Sequence, residues 1–411
     1  MAFLHAGAFA QQAYTWDQLK VKFQTGNPTL RAGEDNIAEQ KTLEVSAFLR
    51  PNPDLTLSTD GTQLGPYDGV WRPFAGTQYG LAGSYLHERA NKRELRLESA
   101  KKGTAIAESQ QDDLTRNLLF NLRNAFVMAL QAKAVRDVAR ENLVYYDKVL
   151  AVSRDRLQAG DIAQVDMMRL DLQRVQYESD LQNAEVNVRT AKIQLLQLMN
   201  ARTPIEQFDV TGPFDFSETL TQLDEVHRVA LDARPDLRAA VQAIEKAKTD
   251  HDLAVSNGST DPTYSLWVTH NPSFNNPFDN NTLGASVNIP LRMFDRNQGE
   301  KARTEIDIRR NERLRDAAIA QVYSDVDSAY ATLNSTVILL RPYKSKYLDE
   351  ASKVRDTITF AYQHGGASLV DFLSAENDYR ALRLSYLNLV GAYLTAASQL
   401  NLAAGREVIT Q

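Results

Sequence analysis

The sequence predicts a mainly α chain with a small β part, laid out as two copies of one unit. Three observations carry this. The stretch Leu157-Gln158-Ala159-Gly160-Asp161-Ile162-Ala163-Gln164-Val165-Asp166 reads as a turn between two very long helices. From about Asn91 to that turn there is no Pro and a single Gly, Gly103, and the pattern stays helical afterwards to about Asn200. The same turn returns 205 residues later (Gly160 to Gly365) as Tyr362-Gln363-His364-Gly365-Gly366-Ala367-Ser368-Leu369-Val370-Asp371. Gly at a hairpin corner adopts positive φ without steric cost, so its recurrence marks one turn made twice. Each half also holds a pair of segments with period-two patterning.

In order, Trp16 to Phe23 reads as a short helix, and Asn27-Pro28-Thr29-Leu30-Arg31-Ala32 opens a second that runs to about Phe48. Pro suits a first helical turn, where a missing N–H leaves nothing unpaired. Arg50-Pro51-Asn52-Pro53 ends it. Arg234-Pro235-Asp236-Leu237-Arg238-Ala239 is the counterpart and leads a helix to about Val255. Each of these helices runs into a strand pair, 54–63 with 77–87 and 263–271 with 282–291. Tyr79, Leu81, Gly83, Tyr85 and His87 share one face; Tyr264, Leu266 and Val268 alternate with Ser265, Trp267 and Thr269. Long helices follow at about 91–158, 163–200, 297–362 and 368–404. At 1.5 Å per residue, 91–158 and 297–362 would each span roughly 100 Å. Asp295 and Gln298 read as a capping box for the third long helix. Residues 201–218, with Pro204, Gly212 and Pro213, form a linker, followed by a short helix near 223–233. This divides the chain into 1–14, a signal-peptide remnant or disordered start, and the repeats 15–205 and 206–411.

The long helices want neighbours on two sides. Leu170, Tyr177, Leu181, Ala184, Val188, Ala191, Leu195 and Leu198 form a heptad seam. Its positions reappear as Ala375, Leu382, Tyr386, Leu389, Tyr393, Ala396, Leu400 and Ala403. A second seam runs beside it through Leu373, Leu387, Val390, Leu394 and Ala397, and the remaining face is polar. Two seams and a wet face suit a closed ring of helices around water; an antiparallel coiled-coil bundle is the alternative. Four strands cannot close a barrel, nor span lipid with open edges. They stay a small sandwich or borrow strands from other copies, and three copies would give twelve strands and a ring of twelve helical columns.

Composition narrows the function. A net charge of −6 leaves no electrostatic footprint for nucleic acid. With no Cys there is no disulfide, thiolate metal site, Cys nucleophile or lipidated Cys. The six His are not at ligand spacing, so neither a metal site nor a cofactor is expected. No phosphate loop, H-E-x-x-H, nucleophile elbow or Glu-x-x-His pair points to an enzyme. Ala8-Phe9-Ala10 before Gln11 looks like the end of a secretory signal, although no basic segment precedes it. No apolar run reaches the length of a transmembrane helix.

The chain resembles the TolC-type outer-membrane factors. The residues that carry the resemblance are the paired Pro-x-Leu-Arg-Ala openings, the run Ile289-Pro290-Leu291-Arg292-Met293-Phe294-Asp295-Arg296-Asn297-Gln298-Gly299, and the two tips. That run looks most like the heavy-metal (cobalt–zinc–cadmium) efflux branch. The resemblance covers about Trp16 to Gly405. It implies a homotrimer in the outer membrane of a Gram-negative bacterium, with a twelve-stranded β-barrel and a periplasmic α-barrel. The partners would be a periplasmic adaptor and an inner-membrane pump of the RND or ABC type. The function implied is a passive duct for efflux or type I secretion. A soluble coiled-coil scaffold is the other reading of the residues.

The resemblance also implies site residues. Asp371 would narrow the entrance, the alternative being a helix cap; the second acidic and the basic tip residue frequent in the family are here Ser374 and Ala367. Tyr362 would hydrogen-bond across the tip or pack as an aromatic, and Asp166 would support the hairpin or link to its neighbour. Gln158, Ala159, Gly160, Asp161, His364, Gly365 and Gly366 would meet the adaptor, their small size allowing close backbone approach. Trp71, Phe74, Trp267, Phe274 and Phe278 would girdle the barrel at the membrane interface or pack in loops.

Overall fold

The computed structural model describes residues 12–74, 76–271 and 280–410. In chain order the elements are β1 (Gln12–Tyr14), α1 (Trp16–Gly26), α2 (Pro28–Phe48), β2 (Asp54–Asp60), β3 (Gln78–Leu86), α3 (Lys92–Ala159), α4 (Gln164–Leu198), β4 (Phe208–Val210), α5 (Leu223–Ala233), α6 (Pro235–Asn257), β5 (Thr263–His270), β6 (Asn281–Asn288), α7 (Gln298–Pro342), α8 (Leu348–Gln363) and α9 (Leu369–Ala404). Among the described residues no helix is long and apolar enough to cross a membrane. The chain divides into two compact units, each drawing segments from both halves of the sequence.

The first unit comprises residues up to 34, 110–237 and 318 onward. Its described residues form three apolar cores. One joins α5, α7 and α9 through Val226, Val229, Val326, Leu333, Val390, Leu394 and Leu400. A second gathers Leu19, Phe23, Leu122, Phe126, Leu195 and Phe208. The third lies in the tip region around Tyr146, Leu170, Tyr177, Tyr362 and Phe372. The apolar seam read from the sequence is inside: Leu170, Tyr177, Ala184, Val188, Ala191 and Leu195 of α4 are buried, as are Ala375, Tyr393, Ala396, Leu400 and Ala403 of α9.

The repeat extends to polar contacts. Asn27, just before Pro28, caps α2 by accepting from the N–H groups of Thr29 (2.9 Å) and Leu30 (3.2 Å), and its Nδ2 donates to Leu198 O at 3.3 Å. Arg234, just before Pro235, donates through Nη1 to Ala403 O at 3.4 Å. Ala403 is Leu198 carried forward by the repeat offset. One junction is therefore built twice, with a neutral amide in the first half and a guanidinium in the second.

Three expectations are corrected. Residues 12–14, expected in a signal-peptide remnant or disordered start, form a strand in parallel register with β4, Gln12 opposite Phe208 and Tyr14 opposite Val210. The Tyr14 ring also lies against Phe208, tilted by 32° with centroids 5.7 Å apart. Three residues are too few for a periodicity signal; the partner strand, far away in sequence, decides their conformation. The helix expected unbroken over 297–362 is interrupted by a wide turn at Tyr343–Tyr347. Pro342, lacking an N–H, forces the change, and the wide turn closes with Leu348 N–H donating to Tyr343 O. The capping box expected at Asp295 is shifted: Asp295 Oδ1 accepts from Asn297 N (2.8 Å), Gln298 Oε1 accepts from Arg296 N (2.8 Å), and α7 begins only at Gln298. Asn297 takes φ of 61° at this corner, a region Asn tolerates.

The second unit comprises 35–109 and 238–317. Its centre is a four-stranded antiparallel sheet in the order β2-β3-β5-β6, so the two strand pairs of the repeats join through β3 and β5. Its helical segments meet through polar side chains. Ser109 donates to Gln242 Oε1 (2.8 Å) and accepts from Arg238 (3.0 Å), and Thr104 donates to Glu44 (2.5 Å). Lys92 is buried against Asp261 at 2.5 Å.

Candidate functional site

The sheet is amphipathic, and its apolar face is the bare one. Register places Leu57, Leu81, Val268 and Leu283 in one row and Leu55, Gly83, Leu266 and Ala285 in the next. Leu55, Leu57, Leu266 and Leu283 are 57–76% exposed. The opposite face carries Thr56, Ser58, Gly80, Ser84, Ser265, Thr269, Thr282 and Ser286. In water this orientation is unfavourable, since each buried apolar side chain would gain roughly 1.5–3 kcal/mol. It is the orientation a lipid-facing barrel wall needs.

Aromatic rings bound the apolar rows. Tyr79 sits opposite His270 at the loop end, and Tyr85 sits opposite Tyr264 at the helix end. Six residues of strand separate Tyr79 from Tyr85, roughly 20 Å at 3.3 Å per residue. That is close to the roughly 25 Å apolar band of membrane barrels.

Trp267, expected in the interfacial girdle, lies on the other face. Strand parity puts it with Ser265 and Thr269, and its ring covers Gly284 so closely that a Cβ there would lie 2.3 Å from it. Only a glycine leaves room for the indole to lie flat. Trp71 and Phe74 are 63% and 70% exposed in the β2–β3 loop, where Trp71 Nε1 donates to Gln63 O at 3.3 Å. Phe274 and Phe278 lie outside the described residues. Tyr79 and His270 at one end and Tyr85 and Tyr264 at the other bring rings to the two ends of the apolar face; their parity with Leu81 and Leu266 is visible in the sequence.

The hairpin tips are the second place where exposed residues converge. Gly160 and Gly365 have φ of 83° and 80°. At each, the residue that follows donates its N–H back to the end of the incoming helix: Asp161 to Arg156 O (2.9 Å) and Gly366 to Ala361 O (2.7 Å). Both turns thus satisfy the same orphan carbonyl of a helix end. Gln158, Ala159, Gly160, Asp161, His364, Gly365 and Gly366 are all exposed. Val165 and Val370, equivalent by the repeat, are exposed beside them at 54% and 67%.

The outgoing helices start differently. Ala163 gives α4 no side-chain cap. Ser368 and Asp371 form a capping box on α9: Asp371 N donates to Ser368 Oγ (3.1 Å), and Asp371 Oδ2 accepts from Ser368 N (3.1 Å) and Oγ (2.7 Å). Those hydrogen bonds, the hydroxyl's first, hold the exposed Asp371 carboxyl below the usual range, so it is charged at neutral pH. Asp166 is half-exposed and 3.9 Å from Arg169.

Tyr362 is a packed aromatic. It is buried, stacks on Phe372 at 4.9 Å, and its hydroxyl has no hydrogen bond among the described residues. The link across the tips is made by its backbone. Arg156 of α3 donates Nη1 to Tyr362 O at 2.5 Å, with the guanidinium 5.4 Å above the Tyr362 ring. Arg156 was legible only as a cation in a helix's last turn; nothing local revealed its partner in the other hairpin.

Glu376, one turn beyond Phe372, is also missed by sequence reading. It is 5% exposed, and Oε1 has no hydrogen bond. The cations around it are engaged elsewhere. Arg355 pairs with Asp356 (2.7 Å) and lies over Tyr145 and Tyr379, and Arg380 pairs with Asp180 (2.9 Å). Burial pushes the Glu376 carboxyl up to about 7. A raised folded value means this group's contribution to stability is fully present below pH 4.5 and is lost as pH rises through 7. The shift from 4.5 to about 7 corresponds to about 3 kcal/mol. Glu376→Gln is therefore expected to be increasingly more stable than wild type between pH 4.5 and 8, read by thermal unfolding. A gap between the two proteins that does not change with pH would contradict the burial argument.

The chain is similar to known proteins. The sequence profile described as outer membrane efflux protein matches residues 226–406. The chain is 24% identical over 338 residues to the cobalt-zinc-cadmium resistance protein CzcC of Cupriavidus metallidurans, covering 78% of this chain and 75% of that protein. It is 23% identical over 340 residues to the pyoverdine export outer membrane protein OpmQ of Pseudomonas aeruginosa, covering 79% and 69%. Its fold matches that of CusC, described as forming a transmembrane channel, with a TM-score of 0.79 and 18% identity over 98% of this chain and 95% of that one. The doubled hairpin, the bare apolar sheet face and these likenesses agree on a TolC-type channel component of an efflux system in the outer membrane of a Gram-negative bacterium, similar to the outer membrane efflux proteins whose profile matches residues 226–406.

Proposed function

We propose that three copies join to make one passive duct, the sheets closing a twelve-stranded barrel in lipid and the hairpins closing a ring around water. The observation that carries this is the bare apolar face of a sheet with two open edges, β2 and β6. Lipid does not tolerate unpaired backbone groups, so the free edge of β2 must pair with β6 of a neighbouring copy. A soluble scaffold would leave that face in water, which argues against the alternative. The polar face, lined with Ser and Thr, suits a hydrated lumen without a binding pocket.

The exposed tips are where a periplasmic adaptor would dock, with an inner-membrane pump of the RND or ABC type supplying energy. Cargo would be small molecules or metal ions, in keeping with the names of CzcC and OpmQ. No resident metal or cofactor is invoked; among the described residues no cluster of metal-ligating side chains occurs. Asp371 would line the entrance, where three charged carboxylates about a three-fold axis would repel anions and draw cations. Planar-bilayer recording tests this. Asp371→Ala is expected to raise conductance and weaken cation preference, and a variant indistinguishable from wild type on both counts would dismiss an acidic entrance.

A further inference from the structure

A cavity of about 170 Å³ opens at the helix end of the sheet, lined by Arg50, Tyr85, His87, Glu88, Arg93 and Glu94 among others. Tyr85 and His87 continue the parity of Tyr79 and Leu81, so the cavity lies just past the aromatic boundary of the apolar face. If that face meets lipid, as proposed above, the cavity stands at the depth of the periplasmic leaflet's headgroups. Its charges are arranged unevenly. Glu88 is spent, both oxygens being held by Arg96 at 2.5 and 2.9 Å. Arg93 gives Nε and Nη2 to Glu94 Oε1 (3.2 and 2.7 Å) and rests on the Phe48 ring at 4.4 Å. Its Nη1 makes no hydrogen bond among the described residues, and neither does the guanidinium of Arg50. Glu94 Oε2 takes no bond from Arg93. The wall therefore offers two guanidinium donors for an anion and, beside them, one carboxylate oxygen for a cation.

We infer that this cavity binds the headgroup of a phospholipid carrying a primary ammonium, a phosphoethanolamine lipid. The phosphate would be held by Arg50 and Arg93 Nη1, since guanidinium donors match phosphate oxygens. The ammonium would be held by Glu94 Oε2. Arg93 is fixed in place by its stack on Phe48 and its bonds to Glu94, so little side-chain freedom is lost on binding.

The test uses the purified full-length protein in neutral detergent and measures binding of dihexanoyl phosphatidylethanolamine by native mass spectrometry. Wild type is expected to retain this lipid, and to bind dihexanoyl phosphatidylcholine, whose ammonium cannot donate a hydrogen bond, and inorganic phosphate less tightly by about tenfold or more. Arg50→Glu is expected to lose the lipid, whereas Arg72→Glu in the β2–β3 loop keeps it. Equal binding of the choline lipid or of free phosphate, or undiminished binding by Arg50→Glu, overturns the assignment. Where Arg50→Glu does not fold, the headgroup comparison on wild type decides alone. A channel that conducts in bilayers yet shows no headgroup preference defeats this inference and leaves the duct reading standing.

Discussion

Leu81→Arg is expected to remove the protein from the outer-membrane fraction, while Ser265→Arg leaves it there. The two positions lie on neighbouring strands and differ in face. Leu81 stands between Leu57 and Val268 in the middle of the apolar rows, and Ser265 stands between Ser84 and Ser286 on the polar face. A cation on the lipid face near the bilayer midplane costs about 2–4 kcal/mol per copy, and three copies multiply it. The same cation on the lumen side keeps its water. The measurement is fractionation of outer membranes followed by gel mobility with and without heating. Equal recovery of both variants would mean that the exposed apolar face does not meet lipid, and the duct reading would fall with it.

The second large effect is at Arg234. This side chain is 5% exposed, yet it holds Asp236 through Nε and Nη2 (3.0 and 2.6 Å) and Asp325 through Nη1 (2.7 Å). Its partners Asp236 and Asp325 are about a third exposed and keep some of their water, so losing these charged hydrogen bonds costs about 1.5–3 kcal/mol. Arg234→Ala is therefore expected to lower the thermal unfolding temperature by several degrees. Arg234→Lys would recover only part, because an ammonium cannot bridge both carboxylates in the same plane. Burial raises the Asp236 carboxyl, but the bonds from Arg234 more than offset this and leave it below its usual value. A lowered folded value contributes stability that is present above the unfolded value, about 3.9, and is lost as pH falls through the folded one. The penalty of Arg234→Ala should accordingly shrink in acid. An undiminished penalty at pH 2 would place the effect in packing and not in charge.

The sequence by itself determined what is periodic and local. The hairpins, their glycine corners, the Pro-led helices and the four strands all follow from seams of 3.5 residues, alternation of two, and residues with one comfortable φ. The residues that share one face of a strand could be read as well, because parity assigns every side chain on a strand once one is placed. At Trp267 parity outweighs residue type: an indole suits a membrane interface in general, but its neighbours Ser265 and Thr269 and the bare Gly284 place it on the polar face.

Tertiary structure decided what depends on a partner distant in the chain. β1 exists because Phe208–Val210 runs beside it. Arg156 matters because Tyr362 O lies within its reach, and Glu376 carries a raised carboxyl value because the folded chain buries it, with the nearby Arg355 and Arg380 paired to other carboxylates. The reason is physical: backbone preference and periodicity act over a few residues and leave their mark in order, whereas desolvation and hydrogen-bond pairing depend on distances that only the folded chain sets.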